Sequence, residues 1–198
     1  MTSSPSADPV AALARERAGA QWCLFLDRDG VINRRIPDDY VRSRDQWEFL
    51  PGVLDALRLL AGWAPSIVVV TNQRGVGRGL VSPAELQGIH DDLIASAAAA
   101  GGRIDEILVC PHLDTDHCPC RKPRPGLALS WLDGHPTVDA SLSIMVGDSP
   151  SDLAMAENLA AVTGGCTAVL IGSDADDASR ADLRFPTLLD LATEVPSP

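Results

Sequence analysis

The 198-residue chain has little positive charge, few aromatic residues and no long apolar run. Its 16 Lys and Arg face 27 Asp and Glu, which gives a net charge of −11, and aromatic residues make up 4% of the chain. Basic residues provide most of the affinity for nucleic acids and for anionic membrane surfaces, so we expect neither partner. The apolar runs are shorter than the roughly 18 residues of a membrane span, and the N-terminus lacks the pattern of a secretory signal. We therefore expect a cytoplasmic protein with one domain, acting as a monomer.

Short apolar runs alternate with longer helical stretches after residue 20. Residues 1–20 are rich in Ser, Pro and Ala and predict a flexible tail, with at most a helical turn near Leu13, while residues 21–198 predict a single domain. The predicted strands are Trp22–Leu26, Ile67–Val70, Ile104–Val109, Leu142–Val146 and Ala168–Ile171. The predicted helices are Gly52–Trp63, Pro83–Ala100, Gly126–Leu132, Pro150–Ala161 and Thr187–Ala192. This alternation indicates an α/β fold, a three-layer Rossmann-like sandwich around a parallel sheet, and no insertion is long enough for a large cap domain.

Polar side chains follow four of the predicted strands. Asp27 and Asp29 come after the first strand, residues 71–73 after the second, Cys110 after the third and Asp148 after the fourth. In open α/β sheets, ligands bind in the crevice outside the carboxyl ends of the strands. A polar surface loop explains one such cluster easily, but four of them at one edge indicate a site.

The paired carboxylates of Asp27 and Asp29 have two interpretations, a solvated strand end or a catalytic pair. In the second, one carboxylate attacks phosphorus and the other donates and accepts the proton. Crowded carboxylates repel each other, so the pair predicts a hard cation, Mg²⁺, with Asp148 as a further ligand. The sequence leaves two roles open for Asp152, which either binds the metal or caps the helix that follows. Thr71 also has two interpretations. Its hydroxyl binds a phosphoryl oxygen, or threonine is present because it favours the end of a β-strand.

Lysine is nearly absent, since 15 of the 16 basic residues are Arg and the remaining one is Lys122. A solitary lysine indicates either chance or a place where a compact ammonium is required. Pro123 favours an extended backbone at Lys122, beside the expected crevice. We therefore predict that Lys122 supplies positive charge to the nucleophile and the phosphoryl group.

Four segments together resemble the motifs of haloacid dehalogenase superfamily phosphatases. They are Asp27–Gly30, Thr71–Gln73, Lys122–Pro123 and Gly147–Asp152, in this order along the chain. The resemblance implies Mg²⁺-dependent hydrolysis of a phosphomonoester through an aspartyl-phosphate. It makes Asp27 the nucleophile and a metal ligand, and Asp29 the general acid/base that also gives a backbone carbonyl to the metal. Asp148 is then the remaining protein ligand of Mg²⁺, with Thr71 and Lys122 on the phosphoryl group.

Three of the five cysteines lie in residues 110–120, which we call the zinc loop. In extended backbone, Cys110 and His112 point the same way, as do Cys118 and Cys120. The two arms can therefore close into a tetrahedral Cys₃His site, as in structural zinc centres. A disulfide is the alternative, which a reducing compartment disfavours. His117 competes with His112 as a ligand but lacks the same-side spacing.

The zinc loop narrows the resemblance to a subgroup of these phosphatases. Its Cys-x-His and Cys-x-Cys-Arg-Lys-Pro pattern resembles heptose-1,7-bisphosphate 7-phosphatases and histidinol-phosphate phosphatases. The runs 71–79 and 121–126 resemble the heptose enzymes more closely. Because the chain has no room for a large cap domain, we expect substrate specificity to depend on residues 33–44, residues 74–80 and the zinc loop.

Arginines in these loops predict an anionic substrate, because guanidinium groups match phosphate geometry. The predicted substrate-binding residues are Asn72, Gln73, Arg74, Arg78 and Arg121. The sequence does not decide whether Arg34 and Arg124 contact the substrate or are solvated surface charges.

Two alternatives to a sugar-bisphosphate phosphatase remain. Histidinol phosphate carries an amine, for which Asp38, Asp39, Asp114 and Asp116 could provide acidic partners. A non-catalytic, zinc-stabilised binding module predicts the loss of a catalytic group, whereas the motif residues are all present.

Overall fold

The computed structural model describes residues 8–37, 39–172 and 180–196. The strands are β1 (Cys23–Leu26), β2 (Ser66–Asn72), β3 (Glu106–Cys110), β4 (Ile144–Gly147), β5 (Thr167–Ile171) and β6 (Leu183–Phe185). The α-helices are α1 (Pro9–Arg17), α2 (Val53–Trp63), α3 (Arg74–Gly77), α4 (Pro83–Ala99), α5 (Gly126–Asp133), α6 (Pro150–Thr163) and α7 (Leu188–Glu194). No helix in these ranges is long and apolar enough to cross a membrane.

The strands form one parallel sheet in the order β3-β2-β1-β4-β5-β6. Strand order reverses between β1 and β4, which are hydrogen-bonded neighbours at the centre of the sheet. Such a reversal opens a crevice at the carboxyl ends of the two strands. This topology confirms the predicted three-layer Rossmann-like sandwich and places Asp27 and Asp148 at the reversal.

Alternating side chains of the central strands build two apolar layers. Leu24 and Leu26 of β1 pack with α1, α2, α4 and α7 on one face of the sheet, while Cys23 and Phe25 pack with α5 and α6 on the other. These residues have no exposed side-chain surface. Each buried leucine or phenylalanine stabilises the fold by about 1.5–3 kcal/mol, so the central strands provide a rigid base for the loops at their carboxyl ends.

Most predicted elements are present with shifted ends. The fourth strand begins at Ile144 because residues Ala140–Leu142 form a 3-10 turn, and the third begins at Glu106. β6 and α3 were not predicted. β6 has only three residues and exists through its pairing with β5, and α3 is a single turn containing two glycines.

The predicted flexible tail is wrong for residues 9–17, which form α1. Asp8 caps this helix, and Val10 and Leu13 are buried against the domain. The Arg17 guanidinium, which is 4% exposed, donates to the carbonyl of Leu142 at 2.8 Å and to the hydroxyl of Thr167 at 2.9 Å. These contacts hold α1 on the domain, which a polar composition does not reveal. Residues 1–7 lie outside the described residues.

Candidate active site

A cleft of about 270 Å³ lies at the carboxyl edge of the sheet. Its walls are residues 27–29, 35–36, 39–41 and 71–74, together with Lys122, Ser149 and Ser151. These segments follow β1, β2, β4 and the zinc loop. The structure therefore brings the predicted nucleophile, general acid/base, threonine and lysine to one place.

Lys122 connects two buried carboxylates at the base of the cleft. Its Nζ lies 2.6 Å from Oδ1 of Asp27 and 2.7 Å from Oδ1 of Asp152. All three side chains are less than one-tenth exposed. Burial lowers the pKa of Lys122, but the two carboxylates outweigh it and hold that pKa above its usual value. Lys122 is thus a fixed positive charge against Asp27, as predicted.

The carboxylates of Asp27, Asp148 and Asp152 carry more negative charge than Lys122 balances. Oxygens from the three lie within 4.8 Å of one another. Burial and the neighbouring Asp152 raise the pKa of Asp27 to about 7, although Lys122 lowers it. Burial also raises the pKa of Asp148 to about 6, against the effect of Arg35. A hard divalent cation with oxygen ligands relieves this excess charge, so the donor set fits Mg²⁺.

Asp152 performs the helix-capping role that the sequence left open and also faces the site. Its Oδ2 accepts hydrogen bonds from the backbone N–H of Ser149 at 3.1 Å and from the Ser149 hydroxyl at 2.6 Å. Its Oδ1 pairs with Lys122. Gly147 allows this position, because a Cβ there would lie 2.1 Å from the Cβ of Asp152. Asp152 therefore ties the start of α6 to the lysine.

The Asp29 carboxylate accepts hydrogen bonds from three side chains. Oδ1 accepts from Arg28 at 2.8 Å and from Asn33 at 2.9 Å, and Oδ2 accepts from Gln73 at 2.8 Å. Burial raises the pKa of Asp29, but Arg28 and these hydrogen bonds outweigh it and lower the pKa overall. Because each donor favours the carboxylate, Asp29 is ionised in the free protein and can accept a proton.

The side chains of the second motif, Thr71–Gln73, form hydrogen bonds with other residues of the protein. Gln73 Nε2 also donates to the Thr71 hydroxyl at 2.8 Å. The Asn72 amide forms two hydrogen bonds with the backbone of Lys122, donating to its carbonyl at 3.2 Å and accepting from its N–H at 3.1 Å. Asn72 therefore positions Lys122, and Gln73 connects Asp29 with Thr71. Their predicted contact with substrate stays a prediction.

The loop arginines differ in their relation to the cleft. Arg74 lines the cleft, where it donates to the Tyr40 hydroxyl and pairs with Asp114 of the zinc loop at 3.2 Å. Asp114 also pairs with Arg121, which is not among the residues that line the cleft. Arg78 is likewise absent from the lining. Of the three predicted arginines, Arg74 is therefore the one that lines the cleft.

The two arginines left open by the sequence lie away from the cleft lining. Arg34 pairs with the exposed Glu48, and Arg124 donates to the carbonyl of Cys118 at 2.7 Å. Arg35, in contrast, lines the cleft and pairs with Asp148 at 3.1 Å. Arg35 is the loop arginine whose contact with the predicted metal ligand was missed.

The structure brings together the four predicted ligands of the zinc loop. The Cys110 sulfur lies 3.7 Å from Nδ1 of His112, 3.7 Å from the Cys118 sulfur and 3.3 Å from the Cys120 sulfur. Nδ1 of His112 lies 3.1 Å from the Cys120 sulfur. A tetrahedral zinc site with bonds of about 2.3 Å has ligand-to-ligand edges of about 3.8 Å. The donor set and spacing therefore fit Zn²⁺, with His112 and not His117 in the cluster.

Arg28 was not predicted from the sequence as a residue of the cleft. Its side chain is 1% exposed, lines the cleft and contacts Asp29. Tyr40, Ser149 and Ser151 were also not predicted to line the cleft. The one sequence signal for Arg28 is its position between Asp27 and Asp29. Its burial could not be predicted, because it depends on packing against elements that are distant in the sequence.

Comparisons with known proteins agree on one family. No protein-family model matches the chain. A D-glycero-alpha-D-manno-heptose-1,7-bisphosphate 7-phosphatase of Mycobacterium tuberculosis is 53% identical over 183 residues, which cover 92% of this chain and 96% of that protein. A D-glycero-beta-D-manno-heptose-1,7-bisphosphate 7-phosphatase of Bordetella bronchiseptica is 40% identical over 148 residues, covering 75% and 79%.

A solved structure supports the same assignment. The D,D-heptose 1,7-bisphosphate phosphatase of B. bronchiseptica, in complex with magnesium and phosphate, has a TM-score of 0.77 and 35% identity to this chain. The match covers 88% of this chain and 97% of that one. The chain is therefore a phosphatase of the haloacid dehalogenase superfamily and belongs to the D-glycero-D-manno-heptose-1,7-bisphosphate 7-phosphatase family.

Proposed function

We propose that the protein removes the 7-phosphate of D-glycero-α-D-manno-heptose 1,7-bisphosphate with Mg²⁺ as cofactor. The observation that carries the reaction type is the buried Asp27–Lys122 pair, at 2.6 Å, beside Asp148 at the strand reversal. The 53% identity to the α-anomer enzyme, against 40% to a β-anomer enzyme, favours the α anomer. A cytoplasmic location and a monomeric state stay predictions.

The reaction proceeds in two steps on Asp27 and Asp29. In the first, a carboxylate oxygen of Asp27 forms a bond to phosphorus and the bond from phosphorus to the sugar oxygen breaks. Asp29, which takes up a proton from the phosphomonoester when the substrate binds, gives that proton to the sugar oxygen. In the second, Asp29 takes a proton from water, whose oxygen bonds to phosphorus and releases Asp27. The lowered pKa of Asp29 suits this second step.

Lys122 and the metal ligands provide charge for both steps. Lys122 orients Asp27 and attracts the phosphoryl oxygens. Mg²⁺ would be held by Asp27, Asp148 and the backbone carbonyl of Asp29. When bound, it neutralises the carboxylates and draws charge from the phosphoryl group. Both carboxylate oxygens of Asp152 are already bound, one by Ser149 and the other by Lys122. Asp152 therefore holds Lys122 in position.

Zn²⁺ has a structural role in this proposal. Four protein ligands leave no open position for substrate, as in closed structural sites. The loop ends two residues before Lys122, and Arg124 binds back to the Cys118 carbonyl. Zinc would thus stabilise the segment that carries the catalytic lysine.

The histidinol-phosphate alternative receives less support from the acidic loop residues. Asp39 pairs with Arg42, Asp114 pairs with two arginines, and Asp116 accepts from the backbone N–H of Leu113. Each is already engaged, whereas a cationic amine requires an available carboxylate. Asp38 lies outside the described residues.

Phosphate release in the presence of Mg²⁺ tests the proposal. The substrates are both anomers of the heptose 1,7-bisphosphate and histidinol phosphate, with Asp27→Asn as the inactive control. We expect a preference for the α anomer. Preference for histidinol phosphate, or silence on all three substrates with metals bound, would reject the proposed function.

A further inference from the structure

A buried arginine connects the general acid/base to two distant elements. Arg28 is 1% exposed, and its Nη2 donates to Oδ1 of Asp29 at 2.8 Å. Nη1 lies 3.1 Å from Nε2 of His90 on α4. The guanidinium carbon lies 5.6 Å from the centre of the Trp47 ring. Arg28 is therefore enclosed by Trp47 and His90, with Asp29 at its other nitrogen.

The chemistry of the contact determines the state of His90. A guanidinium has donors and no acceptor, so Nε2 of His90 must accept the hydrogen bond. The imidazole is consequently neutral, with its proton on Nδ1. His90 is 3% exposed and acts as a fixed acceptor that sets the direction of the arginine.

The enclosing elements are themselves attached to each other. Arg44, three residues before Trp47, donates to the carbonyl of Gly88 on α4 at 3.1 Å and pairs with Asp92 at 2.6 Å. The segment that carries Trp47 therefore lies against the same helix as His90. Arg28 has little freedom to turn away from Asp29, because a planar fork between two packed groups keeps its orientation.

We propose that Arg28 is a positioning residue for Asp29, and that His90 acts on catalysis through Arg28. Asn33 and Gln73 also bind Asp29, but Arg28 is the charged donor and the one that connects Asp29 to α4. If the carboxyl of Asp29 turns away from the substrate, it cannot protonate the sugar oxygen as the bond from that oxygen to phosphorus breaks. This inference rests on the proposed function, in which Asp29 is the general acid/base.

Leaving-group dependence distinguishes this role from a merely structural one. A sugar alkoxide leaves only when it is protonated, whereas nitrophenolate leaves without a proton. The test uses the Mg²⁺-loaded enzyme and measures the single-turnover rate of phosphoryl transfer to Asp27. The substrates are the heptose bisphosphate, a simple alkyl phosphate and p-nitrophenyl phosphate.

We expect Arg28→Lys to slow transfer from the two alkyl esters about 10- to 100-fold, which is at or below the lower end of the 10²–10⁴ that general acid catalysis contributes, because Asn33 and Gln73 still bind Asp29. Transfer from p-nitrophenyl phosphate should change by less than about threefold, because that step needs little of the acid. KM should change little. His90→Leu should show the same pattern in weaker form, and His90→Gln should restore the rate, because its amide oxygen can accept from Arg28.

Arg17→Lys is the matched control, since Arg17 is also buried but binds the opposite end of the sheet. It should lower thermal stability without changing the alkyl-to-aryl ratio. An equal loss on all esters, or no loss, in Arg28→Lys would overturn the inference. If Arg28→Lys does not fold, the His90→Leu and His90→Gln pair decides in the same way.

The two proposals fail in different ways. Wild-type enzyme that transfers phosphate from the alkyl and nitrophenyl esters but not from the heptose refutes the proposed substrate. The alkyl-to-aryl comparison still tests Arg28 in that case. Wild-type enzyme that is inactive on every ester refutes both.

Discussion

Gly30 lies against the carboxylate of Asp148, the proposed Mg²⁺ ligand. Its φ is +97°, and a Cβ at this position would lie 1.9 Å from Oδ2 of Asp148. We expect Gly30→Ala to abolish most activity, because Asp148 must move, and to lower stability beyond the roughly 1 kcal/mol cost of a left-handed alanine. Activity and the free energy of unfolding measure both effects.

Gly19→Ala is the control for this substitution. Gly19 also has a positive φ, +75°, but has nothing within 4 Å of the added Cβ. It should show the conformational cost alone and keep full activity. Equal effects of the two substitutions would contradict the role assigned to Gly30.

His90 predicts a pH dependence of stability. Burial and Arg28 lower its pKa from 6.5 to about 4. The unfolded state therefore binds a proton that the native state rejects, so the neutral imidazole stabilises the fold above pH 6.5. This stability, about 3 kcal/mol in full, is lost as the pH falls from 6.5 towards 4.

Chemical unfolding of wild type and His90→Gln at pH 7 and pH 5 measures this effect. Asp27 and Asp148 also titrate in this range, but they do so in both proteins, so the difference isolates His90. The wild type should lose more stability than the variant. A pH-independent difference would show that His90 binds its proton equally in the native and unfolded states, which contradicts a lowered pKa.

At the scale of elements, the zinc loop shows how a local pattern and a long-range contact combine. The i, i+2 spacing predicted which side chains of the loop come together, and the structure confirms that clustering. The pattern did not predict that Asp114 of the same loop binds Arg74 beside the cleft. That contact needs α3 and the zinc loop to be neighbours, which follows from the pairing of β2 with β3.

Cys118→Ala should lose zinc and activity together, because removing one ligand opens the loop that leads to Lys122. Metal content and kcat of the same preparation test this. Cys166→Ala is the control, since Cys166 lies outside the cluster and should keep both. Full turnover by the zinc-free variant would reject the structural role of the metal.

At the scale of the whole molecule, the excess of buried negative charge links stability to the metal. Because burial raises the pKa of Asp148 to about 6, its ionised form destabilises the metal-free protein at neutral pH. Mg²⁺ should raise stability by binding the native state, by about 2.7 kcal/mol at 100 times its Kd.

Asp148→Asn should raise the thermal midpoint without Mg²⁺ and remove most of the gain with Mg²⁺. Asp139→Asn is the control, because Asp139 caps a 3-10 turn and should leave the gain unchanged. An undiminished gain in Asp148→Asn would exclude Asp148 as a ligand.

The fold class, the strand-end position of the predicted catalytic residues and the clustering of the zinc-loop side chains could be predicted from the sequence. These follow from local rules, namely hydrophobic period, the position of polar residues after strands, and i, i+2 spacing. Three contacts could not be predicted in this way and are seen in the folded chain: that of Lys122 with Asp152, that of Arg28 with His90, and that of α1 with the rest of the domain. Each joins residues far apart in the chain, and their approach depends on how helices pack on a sheet whose strand order no local pattern specifies.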